Sequence, residues 1–407
     1  MGDSKKFKQD TRLGHLGRDT KAQRGAVNPP VVHASTILFE TVEGFESAQR
    51  ARLDKARNYY GRYGTTTAFA LEHAVAELEG GYGAIAVPTG LAAIVGPLMA
   101  LAAAGDHLLI VDAVYWPVRD VCDNLFAGLG IETTYYDPAI GAGIADLIRP
   151  NTRAILLEAP TSLTFEMQDV PAIATAARAM GVTTVMDNTW STPLCFRPME
   201  HGVDIVIHAG TKYIVGHADA MLGLVVASEP LFRPVRHTLM RLGYAVAPDD
   251  AYLALRGLRT LSVRLARHQA TGLRLARWLQ GRPEVERVLH PALPDDPGHA
   301  LWRRDWSGAS GLFGLVLNPV PEHAVTAMLD GMELFGMGAS WGGYESLILR
   351  VRPEKARTAT RWDAAGPTLR IHAGLEDPDD LIADLEAGFA RLAKAAAAAG
   401  GARRASP

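Results

Sequence analysis

Cysteine is scarce in this chain: Cys122 and Cys195 are the only two among 407 residues. Two thiols build neither a disulfide framework nor a thiolate metal site. No Cys-x-x-Cys and no His-Glu-x-x-His occurs, so the 13 histidines read singly rather than as metal ligands. A charge excess of one sign is also missing. The formal net charge is -3, from 41 Lys and Arg against 44 Asp and Glu. That leaves no electrostatic footprint for nucleic acid or an anionic membrane. Long apolar runs are absent too. The most apolar region, residues 84–111, is broken by Pro88, Pro97, Gly105 and Asp106, whereas a spanning helix needs roughly 20 uninterrupted apolar residues. It reads instead as a strand, a buried helix and a second strand. Residues 1–12 are lysine-rich and lack the apolar core of a signal peptide, which predicts a cytoplasmic protein.

What is present suffices for a large core. At 407 residues, 48% hydrophobic and 21% charged, the chain has room for two or three domains. An N-terminal arm, residues 1–60, carries Pro29-Pro30 and little periodicity, so it is expected to wrap something rather than fold alone. Residues 69–79 have helical spacing and stop at Gly80-Gly81. Short apolar strands are expected at 84–87, 108–111, 153–157, 183–186 and 204–207, with helical stretches such as 170–180 between them. This alternation predicts an α/β large domain, residues 61–255, built on a mainly parallel sheet covered on both faces. Ligands of such sheets sit beyond the carboxyl ends of the strands. A single basic amphipathic helix, 256–279, should then lead into a smaller α/β C-terminal domain, 256–395. Its expected strands are 311–317, 346–352 and 369–372, followed by a closing helix from 377 to about 395. Residues 396–407 read as a disordered tail.

The segment Ala209-Gly210-Thr211-Lys212-Tyr213 places one lysine straight after the strand at 204–207, and the strand at 183–186 ends in Asp187. A lysine amine and a carboxylate at neighbouring strand ends are what pyridoxal 5'-phosphate requires. The amine condenses with its aldehyde, and the acid keeps its ring nitrogen protonated. Thr89-Gly90-Leu91 opens an apolar helix, where free N–H groups and the helix dipole can cradle a phosphate, although Thr89 also reads as a plain N-cap. Thr211 could add a hydroxyl to the same phosphate. Tyr60-Gly61-Arg62 offers a bidentate anion contact or simply an exposed turn. Tyr115-Trp116 supplies a ring that can stack on a flat cofactor or fill the core. Arg370, a charge inside an apolar strand, needs either a substrate carboxylate or a structural ion pair. The bend Ser340-Trp341-Gly342-Gly343 could help hold that carboxylate.

Together these residues resemble the Cys/Met-metabolism family of pyridoxal-phosphate enzymes, the cystathionine synthases and lyases. The likeness runs from about Thr20 to Leu392 and rests on motifs too long to be chance matches. They are Leu78-Glu79-Gly80-Gly81, Asp187-Asn188-Thr189-Trp190, Thr211-Lys212-Tyr213 with Gly216-His217-Ala218-Asp219, and Arg370-Ile371-His372-Ala373-Gly374-Leu375-Glu376-Asp377. The resemblance implies the aspartate-aminotransferase type of fold (fold type I), with a seven-stranded sheet, assembled as a homotetramer of two tight dimers. Within the family, Trp341 and residues 381–389 resemble the bacterial beta-lyases. Glu158-Ala159-Pro160-Thr161-Ser162-Leu163 also lacks the Asn-Pro common in gamma-acting members. Two positions depart from the pattern: Ala209 stands where many relatives have serine, and Ala339 where gamma-acting relatives have glutamate and the best-known beta-lyases tyrosine.

The resemblance also implies roles. Lys212 would carry the cofactor and act as general base, Asp187 would bond the ring nitrogen, and Tyr115 would stack on the ring and assist catalysis. Thr89, Gly90, Leu91 and Thr211 would hold the phosphate from the same chain, while Tyr60 and Arg62 would reach the phosphate of the neighbouring subunit. Arg370, Ser340, Trp341 and Tyr115 would bind substrate. The implied reaction is beta-elimination from an amino acid with sulfur on its beta carbon, cystathionine first. A gamma-lyase, a cysteine desulfhydrase or an O-acylhomoserine sulfhydrylase would share every cofactor residue.

Overall fold

The structure, a computed structural model, describes residues 6–404, with side chains as far as residue 398. Seven strands form one sheet in the order β1-β7-β6-β5-β4-β2-β3. They are β1 Gly83–Val87, β2 His107–Val111, β3 Glu132–Tyr136, β4 Thr152–Glu158, β5 Thr183–Asp187, β6 Ile205–His208 and β7 Gly223–Ala227. Neighbours from β3 through β6 run parallel, and β7 is antiparallel to both β6 and β1. The strands β1, β2, β6 and β7 are buried along their whole length, as near-continuous apolar runs require when helices cover both faces of a sheet. The fold is therefore α/β with a mainly parallel seven-stranded sheet, as the sequence predicts.

Register sets the site. Glu158, Asp187 and Ile207 are aligned partners across β4, β5 and β6, so the acids that end β4 and β5 and the loop that follows β6 share one edge. The helix Gly90–Leu101 follows β1 and starts at that same edge.

Four further strands form an antiparallel sheet in the order β10-β11-β9-β8: β8 Val285–Leu289, β9 Leu312–Leu317, β10 Leu347–Val351 and β11 Thr368–His372. Phe313, Ile348, Leu369, Leu385 and Phe389 pack in a core of their own beneath it. Strands β3, β7 and β8 were not among those expected. Exposed or partly exposed residues dominate β3 and β8, so their apolar pattern is weak.

Two expectations need correction. The single helix expected at 256–279 is two, Pro248–Leu258 and Leu261–Gln280. Gly257 presses on the Lys212 loop, since a Cβ there would lie 2.2 Å from Ile214 O. After it, Arg264 fastens the break by donating to Gly257 O at 2.8 Å and to Thr260 Oγ1 at 3.0 Å. The closing helix runs on as Pro378–Arg404, through the alanine-rich stretch read as tail, because alanine is the strongest helix former. Residues 405–407 of that tail lie outside the described residues. Part of the N-terminal arm docks on its own chain: Leu13 and Leu16 are buried, and Arg259 donates to both of their carbonyls. Among the described residues no helix is long and apolar enough to cross a membrane.

Candidate active site

After β6 the chain turns tightly to present Lys212. Lys212 N–H donates to Ala209 O at 3.0 Å, Gly216 N–H donates to Lys212 O at 2.8 Å, and Arg264 donates to Tyr213 O at 2.8 Å. Gly216 sits at φ +72° with Arg264 so close that a Cβ would lie 2.0 Å from its guanidinium; only glycine meets both demands. The Lys212 ammonium donates to Ser340 Oγ at 2.7 Å and lies 5.2 Å from the Trp341 ring. Burial pushes its pKa down to about 8, Arg370 adds to the push, and Asp187 opposes it.

Asp187 is fixed through one oxygen. Thr189 donates to Asp187 Oδ1 twice, from its N–H at 2.9 Å and from its hydroxyl at 2.5 Å. Thr189 Oγ1 in turn accepts the Ala209 N–H at 2.8 Å, which ties the ends of β5 and β6 together. Burial raises the Asp187 pKa; the Thr189 hydroxyl and N–H, then His208 and Lys212, oppose the rise. Such a carboxylate gains most from a cationic N–H brought to its second oxygen.

The helix Gly90–Leu101 is capped by Thr89, whose Oγ1 accepts the Ala92 N–H at 3.0 Å. The N-cap reading of Thr89 is thus correct. The N–H groups of Gly90 and Leu91 still head the helix, where dipole and unpaired donors favour an anion. Gly90 lies against the Lys212 loop, with a Cβ there falling 2.5 Å from that of Ala209. Any side chain at 90, or a larger one at 209, would crowd this corner. Thr211 is less free than expected: its hydroxyl donates to Leu222 O at 3.2 Å and accepts Leu222 N–H at 3.0 Å.

Tyr115 follows β2 and precedes the short helix Trp116–Asp120. Tyr115 and Trp116 are 45% and 52% exposed, so neither is a core residue. Burial of the Tyr115 phenol raises its pKa, with Asp187 and Glu158 adding to the rise and Arg370 opposing it. That pattern sets the phenol among the acids of β4 and β5 and the cation of β11. Glu158 is a further residue of this edge, one that its sequence motif alone does not single out. It accepts the Tyr115 N–H at 2.8 Å and bonds the Ser162 hydroxyl. Its hint was a carboxylate closing an apolar strand, the same hint that singled out Asp187.

The second sheet delivers the other wall. Arg370 on β11 donates to Gly338 O and Ser340 O, each at 3.0 Å. No carboxylate pairs with it among the described residues, so the structural ion-pair reading fails. Burial lowers its pKa, Tyr115 opposing. Gly342 takes φ +89°, and a Cβ there would lie 3.0 Å from Lys212 C, so the 340–343 bend lies directly on the lysine backbone. Gly342 N–H donates to His372 Nε2 at 3.1 Å, and Trp341 packs on Tyr213 with ring centroids 5.4 Å apart. Burial drives the His372 pKa down to about 3, which keeps that ring neutral; its Nε2 also lies 3.1 Å from Gly343 O. Ala339 is exposed beside this bend.

Tyr60 and Arg62 are not brought to this group. Arg62 donates to Met240 O at 2.5 Å, and Tyr60 is 42% exposed beside Thr36 and Tyr63. Leu38, Val42 and Phe45 of the same arm are exposed as well.

The Lys212, Asp187 and Gly90–Leu91 corners fit pyridoxal phosphate: a buried amine of lowered pKa, an acid anchored through one oxygen, and a helix start closed to any Cβ. Comparison with known proteins agrees. The family description "Cys/Met metabolism PLP-dependent enzyme" matches residues 10–390. The chain is 45% identical over 389 residues to the cystathionine beta-lyase of Salmonella typhimurium, covering 94% of this chain and 98% of that one. It is 44% identical over 391 residues to cystathionine beta-lyase MetC of Escherichia coli K12, covering 95% and 99%. Cystathionine gamma synthase from Xanthomonas oryzae pv. oryzae superposes with a TM-score of 0.86 at 33% identity, covering 95% of this chain and 99% of that one. A match that spans both sheets and every corner of the site leaves one conclusion: the chain belongs to the Cys/Met metabolism family of PLP-dependent enzymes.

Proposed function

We propose that the chain is a cystathionine beta-lyase, which cleaves the Cβ–S bond of L-cystathionine to homocysteine, pyruvate and ammonia in methionine biosynthesis. The observation that carries this reading is that Lys212 Nζ and the Arg370 guanidinium, unpaired with any acid among the described residues, both meet Ser340. The likeness to beta-lyases over nearly the full chain supports it.

The cofactor would be held by Lys212, Asp187, Tyr115, Thr89, Gly90, Leu91 and Thr211. When bound, it supplies an aldehyde that captures the substrate amine and a ring system that takes up the electron pair left at the alpha carbon. Arg370 binds the substrate carboxylate, with Ser340 Oγ as a second donor, and so fixes the Cα–H bond against Lys212. Lys212 Nζ, once neutral, takes the alpha proton as general base. Asp187 stays charged and keeps the proton on the ring nitrogen. The leaving sulfur receives its proton from Lys212 Nζ or from Tyr115, whose raised pKa keeps the phenol protonated near neutral pH. One water is consumed in forming pyruvate and ammonia.

Tyr60 and Arg62 of one protomer would complete the phosphate site of its partner. The exposed Leu38, Val42 and Phe45 beside them supply apolar surface for that contact, within a homotetramer of two such dimers. Cys122 and Cys195 are buried free thiols, suited to the reducing cytoplasm.

Incubation of the purified protein with cystathionine tests the reading. Pyruvate with homocysteine supports it; 2-oxobutyrate with cysteine means gamma-cleavage instead, and no product sends the search to other sulfur amino acids.

A further inference from the structure

We infer that Glu158 is a positioning residue of this site: a neutral carboxyl that anchors the Tyr115 backbone and the Ser162 hydroxyl and leaves the negative charge at the strand ends to Asp187. The inference rests on the reading that Tyr115 and Asp187 face the cofactor.

Geometry points there first. Glu158 ends β4 as the aligned partner of Asp187 on β5, so two carboxyls stand side by side on one sheet edge. Glu158 is 8% exposed and makes no ion pair among the described residues. The titratable groups that face it are Asp187 from β5 and the Tyr115 phenol from the segment after β2. Neither can balance a negative charge. Two buried carboxylates without a cation between them cannot both stay ionised, and the proton settles on the one with less support. Both acids have hydroxyl and N–H donors, from Thr189 for Asp187 and from Tyr115 and Ser162 for Glu158, so the difference is made by His208 and Lys212, which lie near Asp187.

Glu158 Oε2 accepts the Tyr115 N–H at 2.8 Å, so its proton belongs on Oε1, where the Ser162 hydroxyl lies. The Ser162 hydroxyl, which donates to Oε1 of the charged acid, would turn to accept from the protonated one. Burial, with Asp187 adding, raises the Glu158 pKa to about 8 against the donors from Ser162 and Tyr115. The same contacts set where the Tyr115 backbone begins the helix Trp116–Asp120, and therefore where its ring lies.

Two substitutions and one spectrum test this in the full-length protein. Glu158→Gln keeps an acceptor for Tyr115 and a donor for Ser162 while staying neutral. It should keep kcat and KM within about threefold of the parent, and Glu158→Leu should lower kcat about tenfold or more with KM little changed. Infrared spectra of the protein stripped of cofactor should show a buried carboxylic-acid C=O band at neutral pH that fades as pH passes about 8 and is missing in Glu158→Gln. A Gln variant as impaired as the Leu variant, or no such band at neutral pH, overturns the inference. The spectrum reads Glu158 without any substrate, so a wrong reaction and a wrong Glu158 would be told apart. If Glu158→Leu does not fold, the Gln variant and the band still decide.

Discussion

Lys212 Nζ lies 2.7 Å from Ser340 Oγ across 128 residues of chain. One residue comes from the loop after β6 and the other from the bend before β10, so this contact closes the large sheet's edge against the smaller sheet. The predicted chemistry depends on that closure.

Replacing Lys212 with alanine removes the amine that holds the cofactor and moves the alpha proton. Pyruvate release from cystathionine should fall by roughly 10²–10⁴ or more, and the visible chromophore should be lost on gel filtration. Turnover that survives would sink the assignment of Lys212.

The protonation of Lys212 gives a second check. Burial disfavours the ammonium form, so the folded pKa falls from the ordinary lysine value to about 8, and the neutral amine accumulates as pH rises through that value. In cofactor-free protein, acylation of Lys212 followed by mass spectrometry should therefore show a midpoint near pH 8. A midpoint at the ordinary lysine value would mean that the amine is not buried as described.

Arg370→Ala should act on substrate capture. A lost charge-assisted hydrogen bond is worth about 1.5–3 kcal/mol, which raises KM for cystathionine by roughly 10- to 100-fold while kcat changes less. Steady-state kinetics read this directly. An unchanged KM would remove Arg370 from the carboxylate site.

Asp112, just after β2, holds the loop between β10 and β11. Its oxygens accept Thr358 N–H at 2.9 Å, Thr360 N–H and hydroxyl at 2.8 Å, and Arg119 at 2.6 Å; Asp112 and Arg119 are buried, while Thr358 and Thr360 reach them from a partly exposed loop. Burial alone would raise its pKa, but the Thr358, Thr360 and Ala359 donors together bring it below the usual value. Asp112→Ala should cost about 3–5 kcal/mol in denaturant unfolding at neutral pH, because Arg119 is left buried without its acid. A depressed folded pKa means that this stabilisation is fully present above the unfolded aspartate pKa and fades as pH falls through the folded one. A loss below about 1 kcal/mol would place the pair among surface bridges of little weight.

Much of this site could be read along the chain. Lys212 and Asp187 were found because each follows a short apolar strand, and strand ends in a parallel sheet collect ligands whatever the details of packing. Gly90 and Gly342 were visible as glycines, but why no other residue fits required the neighbours that a Cβ would strike. Glu158 carries the same strand-end signal as Asp187, but its tie to Tyr115 shows only once β4 is set beside β2 and β5. Strands β3 and β8, half exposed, have too weak an apolar pattern to separate from loops, and the break between the helices Pro248–Leu258 and Leu261–Gln280 comes from Arg264 reaching back to a distant loop.

The sequence by itself determined the α/β class, the family and the lysine–aspartate pair, since these depend on local periodicity and on motifs a few residues long. Tertiary structure alone decided that Arg370 lacks an acid partner among the described residues, that the Thr211 hydroxyl is already engaged, and that Tyr60 and Arg62 lie away from Lys212. Such facts depend on pairings that packing selects, from Leu222 beside Thr211 to Met240 beside Arg62, and local periodicity does not report them.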